Sequence, residues 1–207
     1  MRTKCYIALL LVAMIVVDHV NKAGAWWWYD RRRRSSRRRH YVCHPPSTSG
    51  GGWVNNFDGR AYFSCPWGQS VSNIQGLYSA CHRDRVWKYQ CTNNPATRGR
   101  CSWSNWVNDF DQLINYHCPY SGFITGVDSH HSNHHEDRRF RFKCCHRHHY
   151  KRLHCTTTHY RNSWRGYINY SVPSGYYLSG VSSVHGNAQE DRRWQYEFCQ
   201  IRKYHAK

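Results

Sequence analysis

Asp137-Arg138-Arg139-Phe140-Arg141-Phe142-Lys143-Cys144 has an alternation that suits an extended chain. Successive side chains of a strand point to opposite faces. Arg138, Phe140, Phe142 and Cys144 therefore share one face, and Arg139, Arg141 and Lys143 share the other. The face that carries the rings is expected to point inward. Upstream the same pattern reads Asp84-Arg85-Val86-Trp87-Lys88-Tyr89-Gln90-Cys91. Downstream it reads Asp191-Arg192-Arg193-Trp194-Gln195-Tyr196-Glu197-Phe198-Cys199.

Working outward, each segment closes a longer pattern. Trp53-Val54-Asn55-Asn56-Phe57-Asp58 and Trp106-Val107-Asn108-Asp109-Phe110-Asp111 open the first two copies, and Trp164 is the looser match in the third. Cys65-Pro66, Cys118-Pro119 and Val172-Pro173 stand in the middle. Pro66 to Asp84, Pro119 to Asp137 and Pro173 to Asp191 are one interval of 18 residues. Such agreement across Gly/Ser-rich loops predicts three homologous units, at about 52–91, 105–145 and 163–200. A second strand is expected after each proline, around Val71 to Ile74, Phe123 to Val127 and Tyr176 to Val181. No stretch sustains a helical period. The predicted fold class is all-β and disulfide-rich, with three homologous β repeats in a pseudo-threefold arrangement. Trefoil-like and prism-like versions are both open.

The chain begins with Arg2, Lys4, an apolar run from Tyr6 to Val17 and the small-residue triplet Ala23-Gly24-Ala25. This reads as a secretory signal over 1–25, because the run is short for a membrane span. No later segment is apolar enough to span. Residues 26–42 read as a basic arm or propeptide, and 43–207 as one domain. Of the 11 cysteines, Cys5 lies in the signal. Ten remain, which in an oxidising compartment implies five bridges. Cys65–Cys91 and Cys118–Cys144 have the same separation, which argues for equivalent bridges. Elimination then suggests Cys101–Cys145, Cys155–Cys199 and Cys43–Cys81. Cys199 comes one residue late in its copy and faces away from Trp194 and Tyr196, so it needs a different kind of partner. No CxxC pair suggests zinc binding by these thiols.

These motifs, taken as an ordered set, resemble the dermatopontin family. The carriers are Asp84-Arg85-Val86-Trp87, Asp137-Arg138-Arg139-Phe140 and Asp191-Arg192-Arg193-Trp194, with the Trp-Val-Asn starts, the Cys-Pro turns and Cys144-Cys145. The resemblance covers roughly Gly52 to Arg202. It implies a secreted matrix component that binds proteoglycans, cell surfaces and matrix proteins, with some invertebrate relatives acting as lectins. Vertebrate members are acidic and tyrosine-rich, whereas this chain is basic and His-rich, so no one relative's partner is carried over.

The net charge is +18 for the whole chain and about +16 without the signal. In secreted space this surplus points to acidic polysaccharides, proteoglycans, cell-surface glycans or acidic matrix proteins, with self-association as a further expectation. Nucleic acid is not the expected partner. Asp84, Arg85, Trp87, Asp137, Arg138, Phe140, Asp191, Arg192 and Trp194 are the candidate glycan contacts. The architectural alternative is weighted above that one: Asp orients a turn, Arg pairs with a neighbouring unit's carboxylate, and the ring fills the core. Arg31, Arg32, Arg33, Arg34, Arg37, Arg38 and Arg39 form either a polyanion-binding arm or a processing site. His130, His131, His134 and His135, and His146, His148, His149, His154 and His159, read as solvated tracts rather than a metal site. Asn169-Tyr170-Ser171 is a glycosylation sequon. No nucleophile elbow, phosphate loop or HExxH is present, so neither catalysis nor a cofactor is expected. Two functions fit best: a matrix protein held to acidic glycosaminoglycans, or a defence lectin with repeated sugar sites. A structural protein of a mineralised or cross-linked material is the third.

Overall fold

The computed structural model describes residues 43–48 and 51–204, and the β structure lies in the unit His44–Lys207. Residues 1–25, read above as a secretory signal, and the Arg31 to Arg39 run fall outside the described residues. Among the described residues, eleven strands and one 3-10 turn make up the fold. They are β1 (Ala61–Ser64), β2 (Gln69–Ser79), β3 (Asp84–Asn93), β4 (Arg100–Trp103), β5 (Ile114–His117), β6 (Phe123–Ser132), β7 (Asp137–His146), β8 (Tyr150–Thr157), β9 (Ile168–Ser171), β10 (Tyr177–Gly186) and β11 (Asp191–Lys203). Long strands follow the alternating segments, as the period-2 pattern predicts. The four-residue strands β1, β4, β5 and β9 are too short for alternation to mark them, although Ile114–His117 and Ile168–Ser171 do alternate, and the eight-residue β8 shows no period-2 burial.

The long strands form three antiparallel hairpins, β2–β3, β6–β7 and β10–β11. A short strand from the preceding stretch of chain adds to the next hairpin. β1 pairs with β6, β5 with β10, and β9 closes the cycle by pairing with β2. The result is three sheets, ordered β1-β6-β7-β4, β5-β10-β11-β8 and β3-β2-β9. Each sheet therefore combines strands from two of the sequence units. A bulge sits at the same place in all three hairpins, between Val71 and Asn73, Ile124 and Gly126, and Leu178 and Gly180. The extra residue uses its carbonyl for the cyclic exchange: Cys65 N–H donates to Thr125 O, Cys118 to Ser179 and Val172 to Ser72, at 2.8–2.9 Å.

The inward faces meet in an aromatic core. Trp87, Phe140 and Trp194 pack mutually edge to face, with centroids 5.0–6.2 Å apart. This arrangement places the positive edge of one ring against the negative face of the next. Val71, Ile74, Ile114, Ile124, Ile168 and Leu178 fill the space between the sheets. So few aliphatic side chains suffice because three large rings occupy the centre.

The Trp-Val-Asn start has a physical role. Asn55 Oδ1 accepts from Trp87 N–H while its Nδ2 donates to Arg85 O. Asn108 does the same for Phe140 and Arg138, and Asn162 for Trp194 and Arg192. Each amide side chain stands in for a peptide group on the strand edge, pairing groups that would cost about 1–3 kcal/mol each if left buried and unmet. This corrects the third start. Tyr160-Arg161-Asn162 is the counterpart of Trp106-Val107-Asn108, because Arg161 N–H donates to Trp194 O just as Val107 N–H donates to Phe140 O. Trp164 instead corresponds to Phe57 and Phe110.

Disulfides join Cys65 to Cys91, Cys118 to Cys144, Cys101 to Cys145 and Cys155 to Cys199. Cys43 and Cys81 are also disulfide-bonded. Cys199 is late because it is the counterpart of Cys145, not of Cys144. Both bridges span 44 residues. In both, a bulge hydroxyl, Thr125 or Ser179, lies 3.1 Å from the sulfur.

Candidate functional site

Two constellations stand out, one buried and one exposed. The buried one is a closed ring of ion pairs formed by the Asp-Arg motifs. Arg85 Nε and Nη2 donate to the two oxygens of Asp191 at 2.7 and 2.8 Å. Arg138 grips Asp84 at 2.6 and 2.7 Å, and Arg192 grips Asp137 at 2.7 and 2.6 Å. Every pair thus links one hairpin to another. Each carboxylate also accepts a backbone N–H, from Asp58, Asp111 or Arg165. The six side chains belong to residues only 3–4% exposed. They line a cavity of about 30 Å³ above the Trp87, Phe140 and Trp194 cluster. With the carboxylates and guanidinium forks committed to one another, this ring offers little to a sugar.

The exposed constellation lies on the outer face of the sheet β1-β6-β7-β4, where three cross-strand rows run side by side. Tyr62, Asp128 and Arg141 form one row. Ser64, Gly126, Lys143 and Trp103 form the next. His130 lies opposite Arg139 in the third, and Arg60 just precedes β1. Arg60 stacks over Tyr62, Arg141 over Trp103 and Trp106, and Arg139 over Trp106 and Phe110, at 5.1–5.9 Å. His130 sits edge-on to Trp106. Gly126 lets the Trp103 ring settle onto the sheet, since a Cβ there would fall 2.8 Å from Phe63 O and 3.3 Å from that ring.

Asp128 organises this face from below. Its buried carboxylate accepts two bonds from Arg60 at 2.7 Å and one from Arg141 at 2.8 Å. Burial alone would raise its pKa, but the hydrogen bonds and charges of Arg60 and Arg141 outweigh that and hold it below the usual carboxylate range. Burial, and then the charge of Arg139, lower the pKa of His130. The imidazole therefore stays neutral at pH 7, and the positive charge of the face comes from guanidinium and ammonium groups. The depressed carboxylate has a sign that can be tested. Its stabilising contribution is full above the ordinary Asp range and is lost as pH falls through the lowered native value. In urea midpoints measured between about pH 5 and pH 2, the wild type should lose this contribution. Asp128→Asn should be less stable at neutral pH and show a shallower fall. Equal slopes in the two proteins would contradict this role.

The corresponding faces of the other sheets are different. On β3-β2-β9 the matching rows are Asn169, Gln75 and Lys88, then Ser171, Asn73 and Gln90. On β5-β10-β11-β8 they are Asn115, Ser182 and Gln195, then His117, Gly180, Glu197 and Thr157. Arg193, opposite Val184 in the third row there, stacks over Tyr160 and Trp164 at 4.0 and 5.6 Å, as Arg139 does over Trp106 and Phe110. Among the described residues, the part peculiar to the middle hairpin is the cluster of Arg60, Arg141, Tyr62 and Trp103 around Asp128. Sequence reasoning centred on the three-fold motifs missed it. The available signal was the off-core face of the strand segments: Arg139, Arg141 and Lys143 in one, against Val86, Lys88 and Gln90, and Arg193, Gln195 and Glu197, in the others.

Of the histidines singled out earlier, His130 joins the platform, and His131 is buried beside the ion-pair ring. His134, His148, His149, His154 and His159 are exposed. Asn169 of the sequon lies in β9 and accepts from Asn73 Nδ2.

The stretch of sequence that builds these sheets and the Asp-Arg ring matches a known family. The family model described as Dermatopontin matches residues 55–203. The chain belongs to the dermatopontin family. It is 38% identical to the hemagglutinin/amebocyte aggregation factor of Limulus polyphemus, over 72% of this chain and 88% of that protein. It is 34% identical to the dermatopontin of Biomphalaria glabrata, over 70% of this chain and 97% of that one. It is 28% identical to Homo sapiens dermatopontin, over 74% of this chain and 79% of that one. No solved structure matches significantly. Among the described residues, no helix is long and apolar enough to cross a membrane.

Proposed function

We propose that this is a secreted, non-catalytic, matrix-associated protein that binds acidic glycosaminoglycans and proteoglycans through the outer face of β1-β6-β7-β4. The observation that carries this reading is the platform itself. Arg60, Arg139, Arg141 and Lys143 surround Tyr62, Trp103 and Trp106 on one sheet face. Guanidinium groups match sulfate and carboxylate oxygens in a two-pronged geometry. The neighbouring rings offer apolar faces to the C–H side of a sugar. Strands carry Tyr62, Trp103, Arg139, Arg141 and Lys143, and stacking ties Arg60 and Trp106 to them, which lowers the side-chain entropy lost on binding. The basic run from Arg31 to Arg39 would add long-range attraction. The buried Asp-Arg ring serves architecture in this reading.

Similarity to the Limulus polyphemus protein favours a second reading, a lectin of hemagglutinin type. A glycan panel with sulfated and neutral chains, read at low and at high salt, separates the two. Binding confined to sulfated chains and weakened steeply by salt supports the platform, because exposed charges are screened within about 10 Å at 0.1 M salt. Salt-resistant binding competed by one neutral sugar would replace this reading with the lectin.

A further inference from the structure

Three positions around the buried ring show what their surroundings require. The first is the residue whose N–H caps each ring carboxylate: Asp58, Asp111 and Arg165. All three adopt the left-handed conformation, with φ of 61, 63 and 61°. The second is the residue opposite each ring arginine in the hairpin: His131 opposite Arg138, His185 opposite Arg192 and Tyr78 opposite Arg85. The third is the ring carboxylate itself.

Two junctions thus hold Asp58–Asp84–His131 and Asp111–Asp137–His185. In each, one donor atom per residue lies within 4.8 Å of the other two. The third junction holds Arg165, Asp191 and Tyr78, with the guanidinium tied to Gln189 O and Ala188 O. A carboxylate at two junctions is therefore matched by a built-in cation at the third. The ring carboxylates are already balanced by Arg138 and Arg192, so Asp58 and Asp111 leave the first two junctions one negative charge in surplus.

The buried imidazoles supply the independent observation. The His131 and His185 side chains are each 1% exposed, and the Nε2 of each lacks a hydrogen-bond partner. Asp111 Oδ1 is buried and unpartnered too. His185 Nδ1, 3.3 Å from Asp111 Oδ1, donates to Asn187 Oδ1 at 3.1 Å, which leaves Nε2 as the free lone pair, 3.9 Å from Asp137 Oδ1. His131 Nδ1, 3.5 Å from Asp58 Oδ1, likewise donates to Asn133 Oδ1 at 3.0 Å, and its free Nε2 lies 3.9 Å from Glu136 Oε2. An outer imidazole orients the other oxygen of each capping carboxylate: His82 at 2.9 Å on Asp58 and His135 at 3.4 Å on Asp111. Such support behind a ligand is typical of built metal sites.

We propose that these two clusters are divalent transition-metal sites of zinc type, and that Arg165 occupies the corresponding place at the third junction. One imidazole and two carboxylates suit zinc, whereas calcium takes six to eight oxygens. Each ion would tie the loop carrying Asp58 or Asp111 to the next hairpin. Zinc binding also needs no help from the sheet platform, so it stands apart from the glycan reading.

The test uses the full oxidised chain, stripped with EDTA, and Asp58→Asn/Asp111→Asn. Asparagine keeps the backbone N–H on the ring carboxylate and tolerates the left-handed conformation. The exposed histidine tract stays intact in both proteins, so adventitious zinc cancels in the comparison. Calorimetric titration should find two more zinc equivalents in the wild type, and zinc should raise its Tm more than that of the variant. Calcium should do neither. As a second readout, cobalt should give tetrahedral visible bands in the wild type that the variant lacks. Equal zinc stoichiometry with matching cobalt spectra would overturn the proposal.

Discussion

Arg138→Ala should lower the unfolding free energy of the oxidised protein by about 3–5 kcal/mol, the usual cost of leaving one member of a buried pair alone. Arg138 donates to both oxygens of Asp84 and to Gly59 O, all inside the ring. After truncation, Asp84 keeps only the N–H of Asp58 for its charge. Because the pair joins the first hairpin to the second, the loss spreads beyond one strand. Arg138→Lys should recover only part of it, since an ammonium cannot grip both oxygens. Asp84→Ala in the same chain should cost less than the sum of the two single changes. Urea unfolding at neutral pH measures the wild type and all four variants. A loss below about 1 kcal/mol, the range of a surface pair, would mean that the ring does not hold the sheets together.

The second large effect concerns binding. Arg139→Gln/Lys143→Gln should weaken heparin-like binding about tenfold or more at near-physiological salt, from two charged contacts worth roughly 0.7–1 kcal/mol each. Both side chains leave the Asp128 pairs intact, since Asp128 is held by Arg60 and Arg141. Lys88→Gln/Arg193→Gln is the matched control. It removes the same net charge from the other two sheet faces and should cost less than about threefold. Surface plasmon resonance against an immobilised sulfated chain gives both numbers. Equal losses would mean that net charge, rather than the platform, drives association.

Much of the molecule is legible in the chain. Alternation in Asp84 to Cys91, Asp137 to Cys144 and Asp191 to Cys199 marks the long strands, because a period of two is a local property. Equal cysteine separations pointed to Cys65–Cys91 and Cys118–Cys144 in the same way. The short strands were hidden, since four residues such as Ile168–Ser171 hold too little pattern to tell a strand from a loop. Trp164 was matched to the wrong position because ring identity was followed. The conserved task belonged to the Asn162 amide, which pairs backbone groups 30 and 32 residues away.

The sequence by itself determined an all-β, disulfide-bonded chain with aromatic inward faces and a family's ordered motifs, because those follow from local periodicity and fixed spacing. Only the tertiary structure decided that β1 joins β6 rather than its own hairpin, that each Arg reaches another hairpin's Asp, and that one outer face gathers Arg60, Arg141 and Trp103 around the buried Asp128. Such choices depend on which edges and charges meet in space across 50 or more residues, and no local pattern encodes a partner that distant.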